Sequence, residues 1–287
     1  MPQLPQSPLK PTRTAIITGG ASGIGRALAV ELAGAGVHLV LADRQVQLAE
    51  EVAAGIRAQG HSAVATELDV RDAAAFKAVV QTTVAATGRL DYLFNNAGII
   101  VAGETHEYEP ADWDEVIDVN LRGVAYGILA AYPLMIQQGF GHIINTASMW
   151  GLNAVPLQVS YTATKHAVVG LSKALRLEAS RYGVKVSVLC PGPIRTPILT
   201  GGRYGRFFPG MDAGVVAEQI ERLLPMDPTL FAHRVVRAVE RNQAIIIEPK
   251  WWRIPWYLER LSPWLSAKIG GLALQRFRRD LEAARPN

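Results

Sequence analysis

The stretch TAIITGGASGIG, residues 14–25, constrains the fold more than any other. A short apolar strand runs straight into glycines, and an apolar-periodic helix follows over about 24–35. Strand, tight turn and helix in immediate succession open a βαβ unit. Gly19, Gly23 and Gly25 let the chain turn without a Cβ clash. They also let the backbone approach a pyrophosphate at the helix N-terminus, where free N–H groups and the helix dipole favour anions. A glycine-rich stretch alone is weak evidence, but this one sits where a dinucleotide loop belongs.

The alternation repeats along the chain. VHLVLAD (37–43) and SAVATELDV (62–70) read as strands and LDYLFNNAG (90–98) as a strand running into a loop, separated by helices at about 47–59 and 72–87. A long helix over about 111–138, a strand at 141–148, a helix at about 160–182 and a strand at 185–192 follow. A helix at about 228–241 and AIIIEP (244–249) close the pattern, while the Gly- and Pro-rich 193–228 reads as a long loop with short helices. Near-continuous apolar strands are buried on both faces, which predicts a mostly parallel sheet covered by helices on each side. The expected fold is therefore doubly wound α/β, a single Rossmann-type domain over 13–250. A proline-rich, flexible arm (1–12) precedes it, and an amphipathic aromatic extension (251–287) follows.

Composition narrows the function classes. The chain carries 29 Lys+Arg against 25 Asp+Glu, and residues 250–287 account for eight of those cations and three of the acids. The main body is thus close to neutral, which argues against nucleic-acid binding. One cysteine, Cys190, excludes an internal disulfide and a Cys/His metal cluster. Neither a secretory signal nor an uninterrupted apolar run of about 18 residues is present, so a cytoplasmic location is expected.

Asp43 ends the second strand about 20 residues after the glycine loop, where an acid can accept hydrogen bonds from an adenosine ribose. A 2′-phosphate there would meet like charge, so Asp43 favours NAD over NADP. Arg44 beside it could reach a phosphate, or could stack on the adenine or stay solvated. YTATK (161–165) sets Tyr161 and Lys165 on one helix face. A phenol near pKa 10 is a poor base at neutral pH. A nearby ammonium favours phenolate and is expected to lower that value. Ser148 ends a strand just upstream. Asn120 lies within the long helix, an odd place for its amide unless the amide is needed.

These motifs occur in the order TGGASGIG, NNAG, Asn120, Ser148, YTATK and Pro191-Gly192, and with them the chain resembles the classical short-chain dehydrogenase/reductase family over about 12–250. The resemblance implies an NAD(H)-dependent interconversion of a secondary alcohol and a ketone; the alternative is a non-catalytic dinucleotide-sensing or membrane-surface binding protein on the same fold. It implies that Tyr161 is the acid/base, Ser148 polarises the substrate oxygen, Lys165 holds the nicotinamide ribose and tunes Tyr161, and Asn120 holds a relay water. It further implies cofactor contacts at Thr18, Gly19, Ser22, Gly23, Ile24, Gly25, Asp43, Arg44, Asp69, Val70, Asn96, Ala97, Gly98, Pro191, Gly192, Ile194 and Thr196. Ser22 stands where NADP-preferring relatives often have a basic residue. A homodimer or homotetramer packed through long helices is also implied.

Substrate readings rest on less. Met149 and Trp150 follow Ser148 and could line a pocket or simply pack. Tyr204, Phe207 and Phe208 lie in GGRYGRFFPG (201–210), a lid or an ordinary packed loop. WWRIPWYLERLSPWLS (251–266) holds four of six tryptophans. It could pack on the domain or a subunit, lie on a membrane surface through 251–277, or wall a hydrophobic substrate pocket. A steroid-like, terpenoid or lipid-derived substrate would suit the last reading.

Overall fold

Among the described residues, nine strands and ten α-helices follow the expected alternation. The computed structural model describes residues 13–200, 204–208 and 211–284, so the proline-rich arm (1–12) lies outside the described residues, as do parts of the 201–210 loop. The strands are β1 (Thr14–Thr18), β2 (His38–Asp43), β3 (Ala63–Glu67), β4 (Tyr92–Asn95), β5 (Ile100–Ala102), β6 (Gly141–Thr146), β7 (Val184–Pro191), β8 (Gly205–Phe207) and β9 (Ile245–Glu248). The helices are α1 (Gly23–Gly34), α2 (Val46–Ala58), α3 (Ala73–Thr87), α4 (Pro110–Ile117), α5 (Gly123–Gln138), α6 (Val159–Ala179), α7 (Ala213–Arg222), α8 (Pro228–Glu240), α9 (Arg253–Leu261) and α10 (Pro263–Ala284).

Seven strands form one sheet in the order β3-β2-β1-β4-β6-β7-β9, and every pairing is parallel. The chain winds outward from β1 through β2 to β3, then returns to the other side of β1 at β4. Ligands sit where the winding reverses, at the carboxyl ends of the strands. Thr18 ends β1 and Asn95 ends β4, so both flank that crevice.

Two apolar layers hold the sheet. Leu28 and Leu32 of α1 pack with Phe231, Val235 and Val239 of α8 on one face. On the other, Phe76 and Val80 of α3 join Met135 of α5 and Val168 of α6. Burying a side chain such as Phe76 or Phe231 contributes roughly 1.5–3 kcal/mol. Local signals fix the helix ends. Asp72 accepts from Ala74 N (2.8 Å) and Ala75 N (2.9 Å) to start α3, and Gly88 at φ 79° ends it. The span Pro110–Gln138 has the length and hydropathy of a membrane helix, but its buried residues belong to the core under the sheet.

Three expectations need correction. The strand read as 62–70 ends at Glu67, because the Asp69 carboxylate accepts from Arg71 N and turns the chain. The long helix is broken by one π-turn at Asp118–Arg122, where the chain bulges around Asn120. The long loop holds a strand: β8 pairs in parallel with β5 as a separate two-stranded sheet. Three-residue strands leave no periodicity to read, and this pairing spans about a hundred residues. A Cβ at Gly205 would stand 1.9 Å from Ile100 O, so only glycine permits the approach.

In the extension, Pro255 lies in the first turn of α9 and Pro263 begins α10. Trp252 is buried edge-on against Trp150, with ring centroids 5.4 Å apart. Asn153 Nδ2 donates to Pro255 O at 3.0 Å, and Gln219 Nε2 of α7 donates to Asp280 of α10 at 2.8 Å. Arg278 reaches Glu104 at 2.7 Å, an exposed pair that contributes about 0–1 kcal/mol.

Candidate active site

A cavity of about 530 Å³ opens at the carboxyl edge of the sheet. Its floor is the glycine turn. Gly19 at φ 66° and Gly23 at φ 51° hold the left-handed backbone, and both line the cavity with Ser22 and Ile24. Thr18 and Gly25 lie behind this surface. The Thr18 hydroxyl accepts from Asn96 N (2.9 Å) and Ala97 N (3.1 Å), tying β1 to the NNAG loop. A Cβ at Gly25 would come within 2.1 Å of Gly19 O, so its bareness lets α1 press against the turn.

Asp43 closes one end. It is buried, and its carboxylate accepts from Ala21 N (3.1 Å) and Gln45 N (2.9 Å). Those bonds aim an acid into the cavity beside Arg44, Asp69 and Val70. Asn96, Ala97, Gly98, Pro191, Gly192, Ile194 and Thr196 line the same space. A concave glycine turn with a fixed acid about 20 residues on fits a dinucleotide, with phosphates at the α1 N-terminus and a ribose at Asp43.

Ser148, Tyr161 and Lys165 come together at the other end. Ser148 stands just past β6, and its Oγ accepts from Trp150 N at 3.1 Å. Tyr161 and Lys165 share one face of α6, with Lys165 Nζ 5.4 Å from the Tyr161 ring centroid. Lys165 Nζ donates to Thr146 O at 2.9 Å. Asn120 lies outside the cavity lining. Its Oδ1 accepts from Ile99 N and its Nδ2 donates to Ile99 O, each at 2.9 Å. A Cβ on Gly98 would stand 3.2 Å from Asn120 Oδ1 and 3.3 Å from Lys165 Nζ, so Gly98 is the bare point where the two meet.

The charge state differs from expectation in one respect. Burial pushes Tyr161 up to about 12, against the opposing pull of the Ser148 hydroxyl. The expected lowering by Lys165 does not prevail here, because desolvation of a fully enclosed phenol is the larger effect. The same burial brings Lys165 down to about 8. Cys190 is buried beside them and its thiol is pushed up to about 12, which fits an inert packed side chain.

The remaining wall is mostly apolar. Met149, Trp150, Tyr204 and Phe207 all line it, whereas Phe208 turns inward and stacks on Tyr108 at 5.2 Å. The sequence offered the aromatic extension as one possible pocket wall without naming the residues, which are Gly270, Ala273, Leu274 and Phe277 of α10, and it gave no sign of Val216 and Ile220 of α7. The signal was present as helical spacing at 270, 273, 274 and 277, but spacing does not say what a face covers. No group of acids, histidines and cysteine that could hold a metal occurs among the described residues.

Comparison with known proteins agrees with this geometry. The short chain dehydrogenase family model matches residues 13–203. Levodione reductase of Leifsonia aquatica is 40% identical over 190 residues, covering 65% of this chain and 71% of that protein. Cyclohexanol dehydrogenase of an Acinetobacter species is 38% identical over 188 residues, covering 65% and 75%. A short-chain dehydrogenase/reductase from Burkholderia phymatum, solved in complex with NAD, superposes with a TM-score of 0.78 at 30% identity, covering 88% of this chain and 94% of that one. A sheet-edge site for a nicotinamide dinucleotide thus defines an oxidoreductase. The chain belongs to the classical short-chain dehydrogenase/reductase family, as an NAD(P)-dependent alcohol dehydrogenase/ketoreductase.

Proposed function

We propose that the protein interconverts a hydrophobic secondary alcohol and its ketone with NAD(H), using Tyr161 as acid/base. The observation that carries this reading is one cavity that joins the glycine turn and Asp43 to Ser148, Tyr161 and Lys165 under an apolar wall. The dinucleotide, when bound, supplies the hydride donor or acceptor. Gly19, Ser22, Gly23 and Ile24 would hold its pyrophosphate, Asp43 its adenosine ribose, and Lys165 its nicotinamide ribose.

The Ser148 hydroxyl donates to the substrate oxygen and fixes it beside the phenol. Burial keeps Tyr161 protonated at neutral pH, so the resting group is the acid that donates to a carbonyl oxygen. In the alcohol direction the phenol must lose its proton. The Lys165 cation over the ring then stabilises the phenolate. Asn120 serves as a positioning residue, since its amide clamps the Ile99 backbone next to Gly98 and Lys165.

NAD is preferred because the Asp43 carboxylate faces the cavity and would repel a 2′-phosphate. The names of the relatives, a reductase of levodione and a dehydrogenase of cyclohexanol, support a cyclic or otherwise apolar substrate. A homodimer or homotetramer is supported by exposed Leu129 on α5 and Leu177 on α6, and a cytoplasmic site of action fits this cofactor use. The test is a panel of hydrophobic secondary alcohols and ketones, read by NADH absorbance with NAD and NADP compared. Turnover with NAD on at least one apolar member supports the reading. Equal or better turnover with NADP removes the Asp43 argument, and NAD binding without any turnover removes the enzymatic one.

A further inference from the structure

The inner face of α10 is accounted for by the cavity, but the outer face is not. Ile254, Tyr257 and Leu261 repeat at helical spacing on α9, and Trp264, Leu265, Ile269 and Leu272 continue the stripe on α10. They are uncovered: Ile254 is 70% exposed, Leu261 84% and Trp264 71%. Contiguous apolar surface of this kind on a water-facing helix pair marks an interaction site.

Charge decides between occupants. Arg260, Lys268, Arg276 and Arg279 are exposed along the same two helices. Lys268 Nζ sits 5.2 Å from the Trp264 ring centroid, and Arg260 Cζ sits 5.7 Å from that of Trp256. Glu259 falls on the opposite side of α9 from the Ile254–Leu261 stripe, Asp280 is held by Gln219, and Glu282 is one exposed acid at the end of α10 beside Arg278 and Arg279, so cations predominate along the two helices. A second copy meeting this face across a two-fold axis would bring the cations against their own counterparts, and like-charge juxtaposition costs several kcal/mol. An anionic lipid surface is complementary on both counts: apolar side chains enter the acyl boundary, rings lie at headgroup level and cations meet phosphates.

We propose that the outer face of α9 and α10 docks on an anionic phospholipid bilayer. The inner face of the same helix walls the active cavity, so docking places that wall beside a reservoir of apolar substrate. The docking itself stands apart from the catalytic reading, because it is measured without turnover.

The test is co-sedimentation of the full chain with vesicles of phosphatidylcholine alone and with about 30% phosphatidylglycerol added. The wild type should bind the anionic vesicles, and binding should weaken at high salt because surface charges are screened. The double variant Trp264→Ser/Ile269→Ser should lose about tenfold or more in vesicle affinity, from the lost apolar burial. Lys268→Glu/Arg276→Glu should abolish the preference for anionic vesicles. Dinucleotide binding by these variants should match the wild type, which shows that they fold. No sedimentation with either vesicle overturns the proposal. So does vesicle binding that both variants retain, or a solution dimer that the Trp264→Ser/Ile269→Ser variant dissociates.

Discussion

The two sides of the cavity are built differently. The floor comes from strand ends and the turns after them: the glycine turn, Asp43, the NNAG loop and Ser148. Hydrogen bonds to the backbone fix key groups there, as Thr18 holds the NNAG loop and Asp43 holds two amides. The opposite wall comes from α7 and α10, where Val216, Ile220, Leu274 and Phe277 offer only apolar surface. Chemistry needs positions fixed to a fraction of an ångström, which a hydrogen-bonded sheet edge provides. Selection among apolar substrates needs only shape and area, which a helix laid across the opening provides. Changes to the floor should therefore alter reaction and cofactor, and changes to the wall should alter substrate choice.

The largest separation comes from Tyr161→Phe. Loss of the proton-transferring hydroxyl should lower kcat by about 10²–10⁴, while NAD affinity by fluorescence titration stays within about threefold. A Kd that rose as far as kcat fell would mean that Tyr161 shapes the cofactor site, and the floor would not divide as described. Asp43→Asn should come next. Removing the charge while keeping an amide of the same shape should shift the NAD-over-NADP ratio of kcat/KM towards NADP by about tenfold, near 1.4 kcal/mol. An unchanged ratio would assign the preference to other groups.

Much of the floor was legible in the sequence because its residues answer to local rules. Gly19 and Gly23 must take positive φ, Tyr161 and Lys165 are four apart on a helix, and Ser148 ends a strand. The wall was not legible in the same way. The helical spacing of α10 could be read, but its inner and outer faces are both apolar, so periodicity alone did not assign Phe277 to the cavity or Trp264 to the surface. The β5–β8 pair depends on Gly205 meeting Ile100 across the fold, and the charge state of Tyr161 depends on enclosure. These are tertiary facts. The π-turn at Asn120 lies between the two cases: the unusual residue was visible, but the bulge was not.

A smaller effect belongs to the core beneath the floor. His142 of β6 is buried, with Nε2 2.8 Å from Ser187 Oγ, and burial pushes it down to about 3. Its folded value lies below the unfolded one near 6.5, so the unfolded chain takes up the proton first as pH falls. Stability should be unaffected by this group above about pH 6.5 and should fall by roughly 2–4 kcal/mol on the way to about pH 3. Denaturant midpoints across that range check it, with His142→Gln expected to flatten the slope. An unchanged slope would assign the acid sensitivity elsewhere.

The division between floor and wall is tested most directly by one comparison of kcat/KM. Wild type and Leu274→Ala/Phe277→Ala would be measured with NAD on a small secondary alcohol and on a bulky cyclic one. The variant should keep its activity on the small alcohol within about threefold. On the bulky one it should lose about tenfold or more, as the buried area of two side chains is removed. Equal losses on both substrates, or none on either, would contradict the assignment of α10 to substrate selection.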